Sequence, residues 1–290
     1  MRVGFTVYSN RPEEMVPICR EAEALGFEGA WVGDHVVAPE NQSTEHPYAT
    51  RVPMVVSGDE RMYDHWMVVG GILAATSRLR VASGIYLLPL RHPLLTARAA
   101  LTAHQMSGGR FRFGVGIGWL PDEFAALGVP FENRAKRFEE ILDVLPKLFA
   151  GDGPVASDGP LYPFPPLQLT RTRADIPLLF GGTAAPAVRR AALRGDGWYG
   201  TTIPLEECIA LRAQIEQVRR EHGLDRKPFS YTCRLVGPVT RENLARYEAA
   251  GFPDVVLPWE SIHPSGQADM SVEAKLRSLA RVSEMLGLRT

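Results

Sequence analysis

The sequence predicts a closed (β/α)8 barrel, a TIM-type fold with insertions at its C-terminal face, built as one domain over residues 1–290. Three observations predict it. A chain of 290 residues, 45% hydrophobic and 22% charged, can bury a large core, and its length suits one α/β barrel. Short β-branched and aromatic runs alternate with longer stretches of helical period, the pattern of βα units around a parallel sheet. No convincing linker, shorter repeat, low-complexity tract or charge block interrupts that alternation.

The elements follow in order. Residues 2–7 read as a buried strand, and 12–26 as a helix with Met15, Ile18, Cys19, Ala22 and Leu25 at helical spacing and Gly26 as its stop. A second strand covers 29–33. The segment 36–62 is long, irregular and Pro-containing, which in a compact domain marks a functional loop, and it is read as a lid. A helix over 63–76, a strand over 79–87 and a helix over 94–107 come next. The fourth strand is 111–116, followed by a loop at 117–132 and a helix over 134–150. The Gly/Pro-rich stretch 151–166 reads as a decorated connection. Strands at 176–180, 197–199, 230–235 and 254–257 then alternate with helices at 184–194, 205–221, 241–250 and 272–286.

Composition excludes some partners. Thirty-two Lys and Arg against 33 Asp and Glu leave a formal charge of −1, so no global positive field favours nucleic acid or an anionic membrane. A small-molecule site is expected instead. Cys19, Cys208 and Cys233 are far apart, lack a CxxC pair and fall within helix or strand patterns, which suits packing residues in a reducing compartment. With no signal-peptide pattern at the N-terminus and no apolar run long enough to span a bilayer, a cytoplasmic location is expected.

In a parallel barrel the chemistry gathers at the C-terminal ends of the strands. Four such ends stand out: Asp34-His35, Ser83-Gly84-Ile85, the run GVGIGW ending at Gly116, Gly118 and Trp119, and Gly181-Gly182-Thr183. The last precedes a helix with Pro186 in its first turn, so Thr183 could be the N-cap and the free N–H groups could hold a phosphate. An ordinary tight βα turn is the other reading. Gly114, Gly116 and Gly118 lack the GxGxxG spacing of a dinucleotide fold. They either bare one face for a flat ring or allow close packing at a barrel corner. His35 is the natural proton carrier near neutral pH, with Asp34 to orient it, although Asp-His pairs also serve as caps. His92, between Arg91 and Pro93, reads as a loop anchor, Trp31 and Trp198 as core, and Trp119 as a pocket wall or a plug of the mouth. No HxH, HExxH or GxSxG pattern points to a metal or a serine nucleophile.

Taken together, AEALGFEGAWVGDHVV (22–37), ASGIYLLPLRHPL (82–94), SGGRFRFGVGIGW (107–119) and RRAALRGDGW (189–198) resemble the bacterial-luciferase-like family, in particular its coenzyme F420-dependent oxidoreductases from actinobacteria. The resemblance runs from the first strand to beyond the sixth, and residues 200–290 add little to it. It implies a barrel that holds a deazaflavin, or in other branches FMN, over its C-terminal mouth, commonly in a homodimer. His35 then resembles the proton-handling histidine, with Asp34 beside it. Gly84-Ile85, with Ser83 before it, resembles the third-strand bulge, often a non-proline cis peptide, that supports the ring. Gly116 and Gly118 resemble ring-edge contacts, and Gly181-Gly182-Thr183 the phosphate loop.

Two departures bear on substrate. The sugar-phosphate dehydrogenase branch carries an acidic glutamate where this chain has Trp119, and a phosphate-binding lysine where it has Ile203-Pro204. A sugar phosphate is therefore disfavoured. Trp119, Tyr86, Leu87 and the aromatic residues of the 36–62 loop suggest a fairly apolar organic substrate. The expected function is hydride transfer with F420. An FMN-dependent monooxygenase and a non-catalytic flavin-binding barrel are the alternatives.

Overall fold

Alternation of buried strand and amphipathic helix produces a sheet that closes on itself. The computed structural model describes residues 1–41, 43–44, 63–264 and 270–288. In chain order its elements are β1 (Arg2–Thr6), α1 (Pro12–Ala24), β2 (Gly29–Val32), α2 (His65–Ala75), β3 (Arg80–Ser83), β4 (Tyr86–Leu87), α3 (Pro93–Met106) and β5 (Phe111–Gly116). There follow α4 (Pro121–Ala126), α5 (Arg134–Ala150), β6 (Val155–Ser157), β7 (Phe164–Leu167), β8 (Leu178–Gly181), α6 (Ala185–Arg194), β9 (Gly197–Gly200) and α7 (Leu205–Glu221). The remainder is β10 (Ser230–Arg234), α8 (Arg241–Ala249), β11 (Asp254–Leu257), α9 (Trp259–Ile262) and α10 (Val272–Leu286).

The parallel ring runs β3-β2-β1-β11-β10-β9-β8-β5 and closes by pairing β3 with β5. This is the predicted (β/α)8 barrel. Outward-facing Phe5, Phe113, Phe180 and Trp198 are buried between the ring and its helices. Inward-facing Trp31, Ala82, Leu179, Tyr199 and Val256 form a separate cluster that fills the interior. Side chains plug the cylinder, so it holds its mouth residues rigidly rather than forming a pore.

Three expectations change. The strand read over 79–87 is interrupted. From Ala82 to Tyr86 it advances four residues while its partner advances three, Arg112 to Val115, so one residue bulges out. The bulge coincides with a cis peptide at Gly84-Ile85. The loop read over 117–132 contains α4 and a short 3-10 turn at Phe131–Asn133, because Pro121 followed by Asp122 and Glu123 is a good helix start too short to show a period. The excursion at 151–166 holds a small antiparallel pair, β6 with β7, outside the barrel. The three cysteines are buried, as read from their patterns.

The barrel is also braced from below by Glu23 on α1. Its carboxylate accepts from Ser77 N (2.9 Å), Ser77 Oγ (3.0 Å), Arg78 N (2.6 Å) and Leu79 N (2.6 Å), tying the helix to the entry of β3. Partial burial pushes its pKa up, but these donors outweigh that and lower it from 4.5 to about 2. A depressed carboxylate contributes stability that is full above the unfolded value near 4.5 and disappears as pH falls through about 2. Glu23→Gln should therefore cost about 1–2 kcal/mol at pH 7, allowing for solvent screening of a partly exposed group. Urea titrations at pH 7 and at low pH check this: the deficit should shrink in acid, and a pH-independent deficit would refute the assignment.

Candidate active site

His35 lies just beyond β2, in the chain that leaves the barrel mouth. Its Nδ1 is 3.0 Å from Oε2 of Glu123, whose side chain is fully buried. The other carboxylate oxygen, Oε1, accepts from Val36 N at 2.7 Å. An ionised carboxylate only accepts, so the hydrogen-bond pattern assigns the proton to Nδ1 and orients the ring through it. The Trp119 ring stands edge-to-face to His35 with centroids 6.2 Å apart.

Asp34, one residue away, is committed elsewhere. It accepts two bonds from Arg91, at 2.6 Å and 2.7 Å, and a third from Leu87 N at 2.8 Å, with its side chain 1% exposed. The Arg91 guanidinium also lies over the Tyr86 ring, 4.6 Å from its centroid. Asp34 therefore clamps the His35 segment to β4, while the carboxylate that meets the imidazole comes from α4.

The bulge forms a platform. A methyl group on Gly84 would come within 2.8 Å of Trp31 Cε3, and one on Gly114 within 2.0 Å of the Ser83 carbonyl oxygen. A methyl on Gly116 or Gly181 would strike Ile85, at 2.9 Å and 2.4 Å. These glycines allow close packing around the half-buried Ile85 side chain, whose neighbours would have to shift for any larger residue. Ser83 is fully buried. Its hydroxyl is 2.9 Å from His65 Nε2, and His65 Nδ1 donates to Gly33 O at 3.2 Å. Burial lowers the His65 pKa, so this ring is neutral and links β2, α2 and the bulge as a structural bracket.

Gly181-Gly182-Thr183 forms the turn between β8 and α6. Gly182 has φ +105°, which strains any residue with a side chain, and its carbonyl accepts from Trp198 Nε1 at 3.0 Å. Thr183 is not the N-cap. Ala184 holds that position, one residue later than expected, and no side chain caps the helix. The exposed first turn, Ala184 to Pro186, presents backbone with little side chain over it. Backbone N–H groups at such an end suit an anion.

Gly118 has φ +80° and packs against Phe124 of α4, where a methyl would approach to 2.8 Å. Gly116, Gly118 and Trp119 are half-buried at the rim. His92 caps α3, its Nδ1 accepting from Leu94 N at 3.2 Å, which matches its reading as an anchor. Glu123, Arg91 and His65 were missed from sequence because each acts through a partner 88, 57 or 18 positions away, and no local spacing reports such a pairing. Of the expected lid at 36–62, residue 42 and residues 45–62 lie outside the described residues. Among the described residues, no three His, Cys, Asp or Glu side chains gather as a metal site, and no helix is long and apolar enough to cross a membrane.

A family model described as luciferase-like monooxygenase matches residues 2–262. An uncharacterized protein of Mycobacterium tuberculosis is 28% identical over 270 residues, 93% of each chain. A solved F420-dependent secondary alcohol dehydrogenase, in complex with an F420-acetone adduct, superposes with TM-score 0.78 at 17% identity, covering 100% of this chain and 99% of that one. A monooxygenase from Streptomyces bottropensis superposes with TM-score 0.76 at 17% identity, covering 99% and 98%. At such identities the two structures share the fold.

Proposed function

Since the chain belongs to the luciferase-like monooxygenase family, we propose that it is a coenzyme F420-dependent oxidoreductase that moves a hydride between the deazaflavin and a small, fairly apolar organic substrate. The observation that carries this reading is convergence: His35 on its buried Glu123, the Ile85 platform and the open turn at Gly181-Gly182-Thr183 all lie at strand ends on one rim. The residues fit a planar ring with an anionic tail, because Ile85 is held up by Gly116 and Gly181 while α6 begins without a side-chain cap. In this reading Ser83, Gly84 and Ile85 support the ring, Gly116, Gly118 and Trp119 border it, and the turn at 181–183 takes the phosphate.

When bound, the deazaflavin supplies the hydride acceptor or donor. The protein supplies the proton path. With Nδ1 turned to Glu123, His35 would use Nε2 to take the proton that an alcohol O–H gives up on oxidation, or to return one to a carbonyl oxygen on reduction. Asp34 and Arg91 keep that imidazole segment in place without handling the proton.

Titration of the purified protein with oxidised and reduced F420 tests the reading, and absence of binding to either form would reject it. The second reading, an FMN-dependent monooxygenase, draws support from the family description and the Streptomyces neighbour. Copurified yellow FMN with oxygen-dependent turnover would select it. We also propose a homodimer. Helix α2 carries no Asp, Glu, Lys or Arg and exposes Met67 (77%), and the adjacent α3 exposes Leu95 (64%), so this face is apolar where a lone protomer would favour charge. A sedimentation mass equal to one chain would overturn it.

A further inference from the structure

We infer that Arg234, at the rim end of β10, is a recognition site for an acidic group on the substrate, so that the molecule turned over is an apolar organic acid bound by its carboxylate. This rests on the reading above for the mouth as the reacting site, and it adds a substrate class to it.

Arg234 pairs in register with Val256, which belongs to the interior cluster with Trp31 and Tyr199. Parallel neighbours in register share a face, so the arginine points into the barrel rather than towards the helices. Its side chain is 11% exposed. A guanidinium buried this far ordinarily meets strong acceptors. This one is met only in part: Nε is buried with no hydrogen-bond partner, Nη1 reaches Thr202 Oγ1 at 3.3 Å, Nη2 reaches Glu260 Oε2 at 3.3 Å, and the Tyr8 side chain also hydrogen-bonds to the guanidinium. Glu260 is itself 46% exposed and takes a shorter bond, 2.8 Å, from Ser9 Oγ. The Nε–Nη2 edge is the planar fork that receives a carboxylate in bidentate fashion, and here one prong is orphaned and the other loosely held.

The surroundings connect this fork to the reacting groups. Tyr199 stacks on Trp31 at 4.4 Å, and Trp31 lies against Gly84 of the bulge. Tyr8 packs on Gly33, two positions before His35. Burial disfavours the arginine's charge, while Tyr8, Tyr199 and Glu260 favour it. Thr202 has φ +29°, the one non-glycine residue with positive φ among the described residues, so backbone strain is held at the residue that steadies the fork. The turn at 181–183 lies at the end of β8, with β9 between it and β10, which leaves Arg234 for a second anion distinct from the cofactor phosphate.

The test uses the full chain without cofactor and follows quenching of tryptophan fluorescence by two acid and amide pairs, benzoate with benzamide and hexanoate with hexanamide. The acids should bind at least tenfold tighter than their amides. Arg234→Gln should weaken acid binding by about 10–100-fold, as expected for charge-assisted bonds, and leave affinity for F420 or FMN within twofold. Glu260→Gln should tighten acid binding, because it removes the competing carboxylate, and this variant carries the test should Arg234→Gln not fold. Equal binding of acid and amide, no binding of either acid, or an acid affinity unmoved or weakened in Glu260→Gln would each overturn the inference. So would loss of cofactor affinity in Arg234→Gln, which would give the guanidinium to the cofactor. Acid preference without binding of F420 or FMN would sink only the flavin reading.

Discussion

His35→Ala should lower kcat by about 10²–10⁴-fold, the range for loss of a positioned acid–base group, while the dissociation constant for the cofactor changes little. The split is expected because the Ile85 platform and the 181–183 turn are built from β3, β5 and β8, whereas His35 stands beyond β2 and is held by Glu123 of α4. Glu123→Gln sharpens the test. Its amide oxygen can still accept from Val36 N, so the segment keeps its anchor, but the negative charge 3.0 Å from the imidazole is gone. Without it the imidazole loses the acceptor that fixes its Nδ1 proton and its direction, so kcat should fall by up to about 10²-fold in Glu123→Gln, less than in His35→Ala, with cofactor affinity again little changed. Full turnover in the alanine variant, or an unchanged kcat in the glutamine variant, would remove the pair from the chemistry.

How much of this could be read from the chain depends on whether the signal is local. The barrel was legible because each unit announces itself within about fifteen residues, and β5, α5, α7, β11 and α10 begin and end where their periodicity begins and ends. Gly84-Ile85 was placed by its resemblance to a known bulge; the cis peptide is there, although composition alone gives no reason for it. The glycines show the limit of such reading. From sequence, Gly116 and Gly181 could serve a ligand or a neighbour, and the neighbour that the fold sets against both, the Ile85 side chain, is not named by any local spacing. Charged partners were less legible still. Asp34 stands next to His35 in sequence, but its two oxygens are filled by Arg91 and Leu87, and the imidazole's carboxylate arrives from a six-residue helix too short to be seen by period.

That exchange of partners carries the second large prediction. Removing the Arg91 side chain, as in Arg91→Met, leaves the Asp34 carboxylate 1% exposed with the Leu87 N–H as its remaining donor. A buried charge stripped of its partner costs about 3–5 kcal/mol, whereas an apolar pair of similar volume is often neutral. Arg91→Met should therefore lower stability by that amount, and Asp34→Leu combined with Arg91→Met should recover most of it, as measured by urea midpoints in a double-mutant cycle. Turnover should follow a different order. If the clamp exists to hold His35, the double variant regains stability but not kcat, because its apolar contact restores packing without fixing the direction in which the chain leaves β2. Equal recovery of both would make the Asp34–Arg91 pair a stability element alone. A double variant as unstable as Arg91→Met would show that the lost guanidinium stacking on Tyr86, and not the stranded carboxylate, sets the cost.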